Sequence, residues 1–199
     1  MAHDSKPARL TTTAAIALAA VLGALLAALT LAPRDDARAS AVRETACSVA
    51  GEPASEASRR QLRRSVRCLF NEQRGLHDLE ALARNPNLQK AAQRHSKVMG
   101  ATDCLAHRCP GEAGLEQRVR KSGYLTGAKR WAYAESTGCA PDAEAMVNSW
   151  METAFHRVNI LGRKFTELGV GTVGDRVKRR CPAGYATFAV VVGWREPAG

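Results

Sequence analysis

Three side chains able to bind a metal or exchange protons stand on separate segments of the sequence. They are His107 in CLAHRC, Glu135 in WAYAES and His156 in WMETAFHRVNIL. Two imidazoles and one carboxylate, with a fourth position left open, suit a catalytic or exchangeable Zn²⁺ or another divalent metal. The sequence has no local signature such as His-Glu-x-x-His. The metal hypothesis therefore depends on the fold bringing three distant residues together.

Other kinds of catalytic site are less well supported by the sequence. Cys104 and Cys109 flank His107 as a partial zinc knuckle, but no second cysteine pair has ligand spacing. A serine hydrolase would need a Gly-x-Ser-x-Gly elbow, which is absent. His95 lies in the apolar stripe of a predicted helix, where a hydrogen-bonded core histidine is the ordinary interpretation.

The N-terminal segment predicts export. Residues 10–32 hold no charge and follow Lys6 and Arg9, so residues 1–39 are interpreted as a signal peptide or as an N-terminal membrane anchor. Ala37-Arg38-Ala39 fits the small-x-small pattern for cleavage. Residues 40–58 follow as a linker, and residues 59–199 form the folded domain. Both interpretations of the first segment place the rest of the chain outside the cytoplasm.

The six cysteines agree with an oxidising location, because an even number in an exported chain favours disulfides over metal binding or a nucleophilic thiol. Six cysteines permit 15 pairings. Spacing suggests Cys47 with Cys68, Cys104 with Cys109, and Cys139 with Cys181.

The exported part is basic, with 25 Lys plus Arg against 16 Asp plus Glu from residue 40 onward, a net charge of +9. Such a chain is attracted to anionic surfaces, which outside a cell are phospholipid head groups, wall polyanions or a host surface. Nucleic acid is not an expected partner, because no finger spacing or aromatic sheet motif is present. The arginines at positions 59, 60, 63, 64 and 67 fall on one side of a predicted helix, where a solvated face is the ordinary interpretation.

The elements that must position these residues are predicted from capping signals and apolar periodicity. Helices are expected at 59–75, from Pro86, at 112–122 and from Pro141, with His156 at the end of the fourth helix, where the dipole would favour its charged form. Strands are expected at 129–136, 167–174 and 185–194, the last one apolar on both faces. In the second of these strands, Gly169 and Gly171 leave one face bare for the close approach of a helix. The predicted fold is an α+β sandwich, with a small, mainly antiparallel sheet between helical layers.

The ordered series of segments resembles the CAP superfamily of cysteine-rich secretory proteins, antigen 5 and pathogenesis-related 1 proteins, in its short bacterial form. The resemblance runs from about Leu62 to Gly193. The segments that carry it are LFNEQRGLHDLEAL, NPNLQKAAQRHSKVM, the histidine of LAHRC, RVRKSGY, the glutamate of AYAES, WMETAFHRVNIL, FTELGVG and YATFAVVVG.

The resemblance implies an α-β-α sandwich with a central cleft, in which His107, Glu135 and His156 occupy the matching positions. It also implies a non-enzymatic module that binds a lipid or a cell-envelope component, with a metal-dependent hydrolase at the same cleft as the alternative. Two departures from the family pattern stand beside the site, Ala134-Glu135-Ser136 for Gly-Glu-Asn and Thr153-Ala154-Phe155 for Ser-Pro-Gly. A second cleft glutamate has no clear equivalent, since Glu152 is one position away.

Overall fold

The computed structural model describes Cys47, residues 49–174, residue 177 and residues 179–198. The predicted export segment 1–39 and the first part of the predicted linker lie outside the described residues. Within the described ranges, no helix is both long and apolar enough to cross a bilayer.

The first helix, α1, spans Arg59–Gly75 and begins where the capping signal predicts. The Ser58 hydroxyl accepts a hydrogen bond from the Gln61 amide, and the Gln61 side chain accepts one from the Ser58 amide, which completes a capping box. Leu62, Val66 and Phe70 are buried along one face. This apolar face fixes which side of α1 packs on the sheet.

The second helix, α2, spans Pro86–Thr102 and begins after a side-chain cap. The Asn85 Oδ1 atom accepts hydrogen bonds from the amides of Asn87 and Leu88, and Pro86 occupies the first helical position. His95 lies on the buried face, as its place in the apolar stripe predicts.

Three shorter helices and four strands complete the described part of the chain. The helices are α3 (Leu115–Lys121), α4 (Ala143–Glu152) and α5 (Ala154–Ile160). The strands are β1 (Ala83–Arg84), β2 (Ala128–Ala140), β3 (Glu167–Val173) and β4 (Ala186–Pro197).

The four strands form one sheet in the order β1-β3-β4-β2. β4 pairs antiparallel with both β3 and β2, and β1 pairs parallel with β3 through two residues. The sheet is thus mainly antiparallel, as predicted, although the two-residue strand β1 was not predicted. β2 also extends four residues beyond its predicted end.

Helices cover both faces of the sheet. One core contains apolar side chains from α1, α4 and α5, and the other contains those from α2 and α3. Alternate residues of β4 supply both cores: Phe188 and Val190 face the first, while Ala189 and Val191 face the second. The predicted α-β-α sandwich is confirmed.

Two glycines of β3 let α2 lie directly against the sheet. A Cβ atom added at Gly169 would overlap backbone atoms of Leu88 and Gln89, and one added at Gly171 would overlap the backbone of Ala92. These contacts confirm the prediction that the glycine face of β3 is bare for a closely packed helix.

Three disulfides join all six cysteines, and no cysteine is free. The pairs are Cys47–Cys68, Cys104–Cys109 and Cys139–Cys181. They are the pairs suggested by spacing. The short disulfide Cys104–Cys109 closes the loop that carries His107.

Candidate functional site

Glu135 is the buried acidic group around which the site is organised. It lies in β2 opposite Val191 of β4, and Val191 belongs to the core on the α2 side of the sheet. Because paired residues of neighbouring strands share a face, the Glu135 side chain also points to the α2 side. Only 1% of it is exposed, so the carboxylate must find partners within the protein.

Arg118 of α3 supplies the positive charge for this carboxylate. Its Nη2 atom lies 3.0 Å from each Glu135 oxygen and also donates to the His107 carbonyl oxygen at 2.9 Å. Nη1 lies 3.5 Å from Oε1 of Glu112. Arg118 and the carboxylates of Glu112 and Glu135 are all buried. One guanidinium therefore joins two buried carboxylates and the backbone of the His107 loop.

His107 contacts Glu135 through one ring nitrogen. The Nδ1 atom lies 3.0 Å from Oε1 of Glu135, and half of the His107 side chain is exposed. Because a carboxylate only accepts hydrogen bonds, Nδ1 carries the proton and donates it. The hydrogen bond to Glu135 raises the pKa of His107 above its ordinary value, against opposing effects of burial and of Arg118. Glu135 thus orients the His107 ring from the protein interior, while the ring remains accessible to solvent.

A second histidine lies beneath the first. His95 is fully buried, and its Nδ1 atom lies 2.8 Å from Oε2 of Glu112. Its Nε2 atom is 3.8 Å from Oε1 of Glu135 and makes no hydrogen bond among the described residues. The interpretation of His95 as a hydrogen-bonded core histidine is confirmed. Its ring lies beside Glu112 and Glu135 in the protein interior.

Sequence reasoning missed Arg118 and Glu112 as parts of this site. Both lie in a polar stretch, CPGEAGLEQRVR, in which ordinary surface charges are expected. The available signal was the helical spacing of Arg118 beside Val119, which places the arginine on the margin of the buried face of α3.

His156 lies on a helix of its own, so the prediction that it ends the fourth helix is wrong. Thr153 has extended backbone angles (φ −92°, ψ 119°) and separates α4 from α5. Its hydroxyl donates to the Ser149 carbonyl oxygen at 2.9 Å, a local bond that competes with regular helix. His156 is therefore the third residue of α5, near the positive end of the helix dipole.

The environment of His156 disfavours its charged form, which also corrects the prediction from the helix dipole. Burial lowers the pKa of His156, and the charge of His107 lowers it further. The ring packs near Trp150 and Phe155, with centroid distances of 6.4 and 5.7 Å.

Asn159 fixes α5 against the strand that carries Glu135. Its Nδ2 atom donates to the Glu135 carbonyl oxygen at 3.1 Å and to the Ser136 hydroxyl at 3.2 Å. Since β2 is an edge strand, this contact joins α5 to the edge of the sheet. His156, one helical turn before Asn159, is held near the same edge.

The arrangement of His107, Glu135 and His156 does not fit a Zn²⁺ site. Both Glu135 oxygens are 3.0 Å from the Arg118 guanidinium, and one is also 3.0 Å from His107 Nδ1. A neighbouring guanidinium repels a dication, and the contacts from Arg118 and His107 already use three of the about four lone-pair sites of the carboxylate. In the described part of the chain, no group of three or more His, Cys, Asp or Glu side chains could hold a metal ion.

Two large apolar side chains are exposed on α5 beside His156. Phe155 is 70% exposed and Val158 is 61% exposed, and their spacing of three residues places them on one side of the helix. Two further aromatic side chains, Tyr124 and Trp131, make other contacts. Tyr124 is fully buried and donates to Glu167 at 2.7 Å; Trp131 lies under the Arg120 guanidinium.

The profile of the Cysteine-rich secretory protein family, CAP, matches residues 68–192. A Bacillus subtilis (strain 168) protein named "Uncharacterized protein YkwD" is 30% identical over 107 residues, which are 53% of this chain and 40% of that protein. The chain thus spans less than half of the length of this relative.

Two solved structures share the fold. An extracellular protein containing a SCP domain from Bacillus anthracis has a TM-score of 0.55 at 23% identity, covering 68% of this chain and 43% of that chain. An outer surface protein from Borrelia burgdorferi has a TM-score of 0.53 at 18% identity, covering 66% and 90%.

Proposed function

Since this chain belongs to the CAP family of cysteine-rich secretory proteins, we propose that it is an extracytoplasmic module whose histidine surface binds a ligand. We define the histidine surface as His107, with Glu135 beneath it, together with His156 and the exposed Phe155 and Val158. The main support for this proposal is that a buried carboxylate orients His107 while half of the His107 side chain remains accessible. Preorganised polar groups beside exposed apolar ones are typical of binding sites.

The location outside the cytoplasm is supported by the cysteines. All six form disulfides, which persist in oxidising compartments and are rare in the cytosol. The similar Bacillus anthracis protein is described as extracellular. Residues 10–32 are the segment that would direct export, and would anchor the chain in the membrane if retained.

The chemistry of the histidine surface favours an amphipathic ligand such as a lipid with an anionic head group. His107 provides a ring whose raised pKa favours a positive charge. Phe155 and Val158 provide apolar area that water now covers. A carboxylate or phosphate head group would pair with the imidazole while an acyl chain covered the apolar side chains.

The alternative predicted from the sequence, a metal-dependent hydrolase, would use the same residues. The contacts of Glu135 favour binding over this alternative, because Arg118 already pairs with the carboxylate that would have to coordinate the metal.

A titration with dodecanoate, kept below its critical micelle concentration, tests the proposed function. Calorimetry measures the affinity of the full chain for dodecanoate. Replacing Phe155 and Val158 together by serine is expected to weaken binding about tenfold or more, since burial of one such side chain contributes about 1.5 to 3 kcal/mol. Leu76→Ser is the matched control, because Leu76 is 72% exposed at the end of α1 and should leave the affinity unchanged.

Equal affinity of the wild type and the Phe155→Ser, Val158→Ser variant would contradict the apolar part of the proposal. A second variant, His107→Ala with His156→Ala, tests the polar part and should also bind more weakly. Zn²⁺ binding that disappears in this second variant would instead favour the metal-dependent alternative.

A further inference from the structure

A groove lined by arginines lies between α1 and the edge of the sheet. Its volume is about 500 Å³. Four of its arginines come from α1, one comes from β1, and β3 contributes apolar side chains. The lining residues are Arg60, Arg63, Arg64, Arg67, Arg84, Gln89, Leu168 and Val170.

Among the residues that the structure describes, no acidic side chain neutralises the positive charge of this groove. Within the described ranges, none of its five arginines forms an ion pair. Arg63 instead donates to the Gln93 side chain and Arg84 to the Gln89 side chain. Burial lowers the pKa of Arg63 and Arg67, and neighbouring arginines, including Arg84 for both, lower it further. Binding of an anion between such crowded cations lowers their electrostatic free energy.

A second cavity of about 350 Å³ continues the groove onto α2. It shares Arg84 and Gln89 with the first cavity and adds Lys90, Arg94 and Lys97. The helical rise places Arg60 to Arg67, and likewise Lys90 to Lys97, about 10 Å apart along each axis. No carboxylate lines either cavity among the residues that the structure describes. Two rows of cations therefore meet at Arg84. We call the two cavities together the arginine groove.

We propose that the arginine groove binds a linear, phosphate-bearing polyanion of the cell envelope, which lies along α1, passes Arg84 and continues along α2. The guanidinium fork matches the oxygens of a phosphate, and rows of cations match repeated charges on one chain. This inference goes beyond the proposed function and is independent of it, because none of the groove residues belongs to the histidine surface.

The shape and composition of the groove favour a polymer over a membrane surface. An amphipathic face that lies in the bilayer interface buries apolar side chains among the lipids. Leu168 and Val170 are the apolar residues of the first cavity, and both are buried in the core. The exposed large apolar side chains of the described residues, such as Phe155 and Leu76, do not line the groove. The groove thus offers many charges but, among the described residues, no large exposed apolar side chain for insertion.

Binding of long-chain inorganic polyphosphate to the full chain tests the proposal. The test variant carries Arg60→Gln, Arg64→Gln and Arg84→Gln, all at exposed positions. The control carries Lys129→Gln, Arg130→Gln and Arg163→Gln, which are also exposed and remove the same charge. At low salt the test variant should lose at least about tenfold in affinity, and its log–log salt slope should fall by about two, given about 0.7 per lost phosphate contact.

The control variant is expected to lose less than about threefold, as screening weakens the effect of distant charges. Equal losses in the two variants would overturn the proposal, because binding would then follow net charge alone.

Vesicles of phosphatidylglycerol and phosphatidylcholine in equal parts form the second arm of the experiment. Groove-dependent binding to these vesicles without binding to polyphosphate would also overturn it, in favour of a membrane. The His107→Ala, His156→Ala variant should bind polyphosphate like the wild type, which separates this test from that of the histidine surface.

Discussion

Replacing Arg118 by methionine is expected to lower the free energy of unfolding by about 3 to 5 kcal/mol. Methionine keeps much of the side-chain volume but removes the charge that Glu112 and Glu135 share. The two carboxylates would remain buried, 7% and 1% exposed, without their cation. Urea unfolding followed by tryptophan fluorescence, with the disulfides intact, measures the change.

Arg120 on the same helix is the matched control for this prediction. Arg120→Met removes an exposed ion pair with Glu116 one turn away, which contributes about 0.3 to 0.5 kcal/mol, and an exposed contact with the Trp131 ring, which contributes about 0.5 to 1 kcal/mol. Adding Glu135→Gln to Arg118→Met should recover part of the loss, since one uncompensated charge is then removed. A loss below about 1 kcal/mol for Arg118→Met would contradict the central role given to this guanidinium.

Replacing Gly169 by alanine is expected to cost about 3 kcal/mol, at the upper end of the range for overpacking. The added methyl group would overlap the backbone of α2 at Leu88 and Gln89. A flexible side chain could rotate away, whereas a helix backbone can only retreat as a unit. The retreat would also loosen the core beneath His95. Urea unfolding again measures the loss.

Gly75→Ala provides the comparison for Gly169→Ala. An added Cβ atom at Gly75 would meet no atom within 4 Å, and Gly75 is the last residue of α1. Its replacement should change the free energy of unfolding by less than about 1 kcal/mol, in the stabilising direction if at all. Similar losses for both substitutions would show that α2 does not lie as close to β3 as the structure places it.

The parts of the fold that were predictable have strong local signals. Asn85 followed by Pro86 announces the start of α2 because capping and proline geometry act over neighbouring residues. The alternating glycines of β3 predicted the close approach of a helix, because a strand face without side chains leaves room for another backbone. The apolar character of both faces of β4 correctly placed helices on the two sides of the sheet.

The parts that were not predictable depend on contacts between distant residues. Arg118 and Glu112 resemble surface charges in the sequence, and only the fold brings them against Glu135 and His95. Likewise, the helical pattern runs through Thr153 without interruption, while the structure breaks there. β1 is too short for a periodic pattern, so its pairing with β3 had no sequence signal.

The separate titration of His107 and His156 tests most directly the claim that Glu135 orients one of the two histidines. Two-dimensional NMR of the histidine ring nitrogens gives both pKa values and the tautomer of each ring, with each signal assigned by a His→Gln variant. His107 should titrate above its ordinary value of 6.5, with the neutral ring protonated on Nδ1, and His156 should titrate below 6.5. Glu135→Gln should lower the pKa of His107. Equal pKa values near 6.5 for both rings, unchanged by Glu135→Gln, would contradict the account.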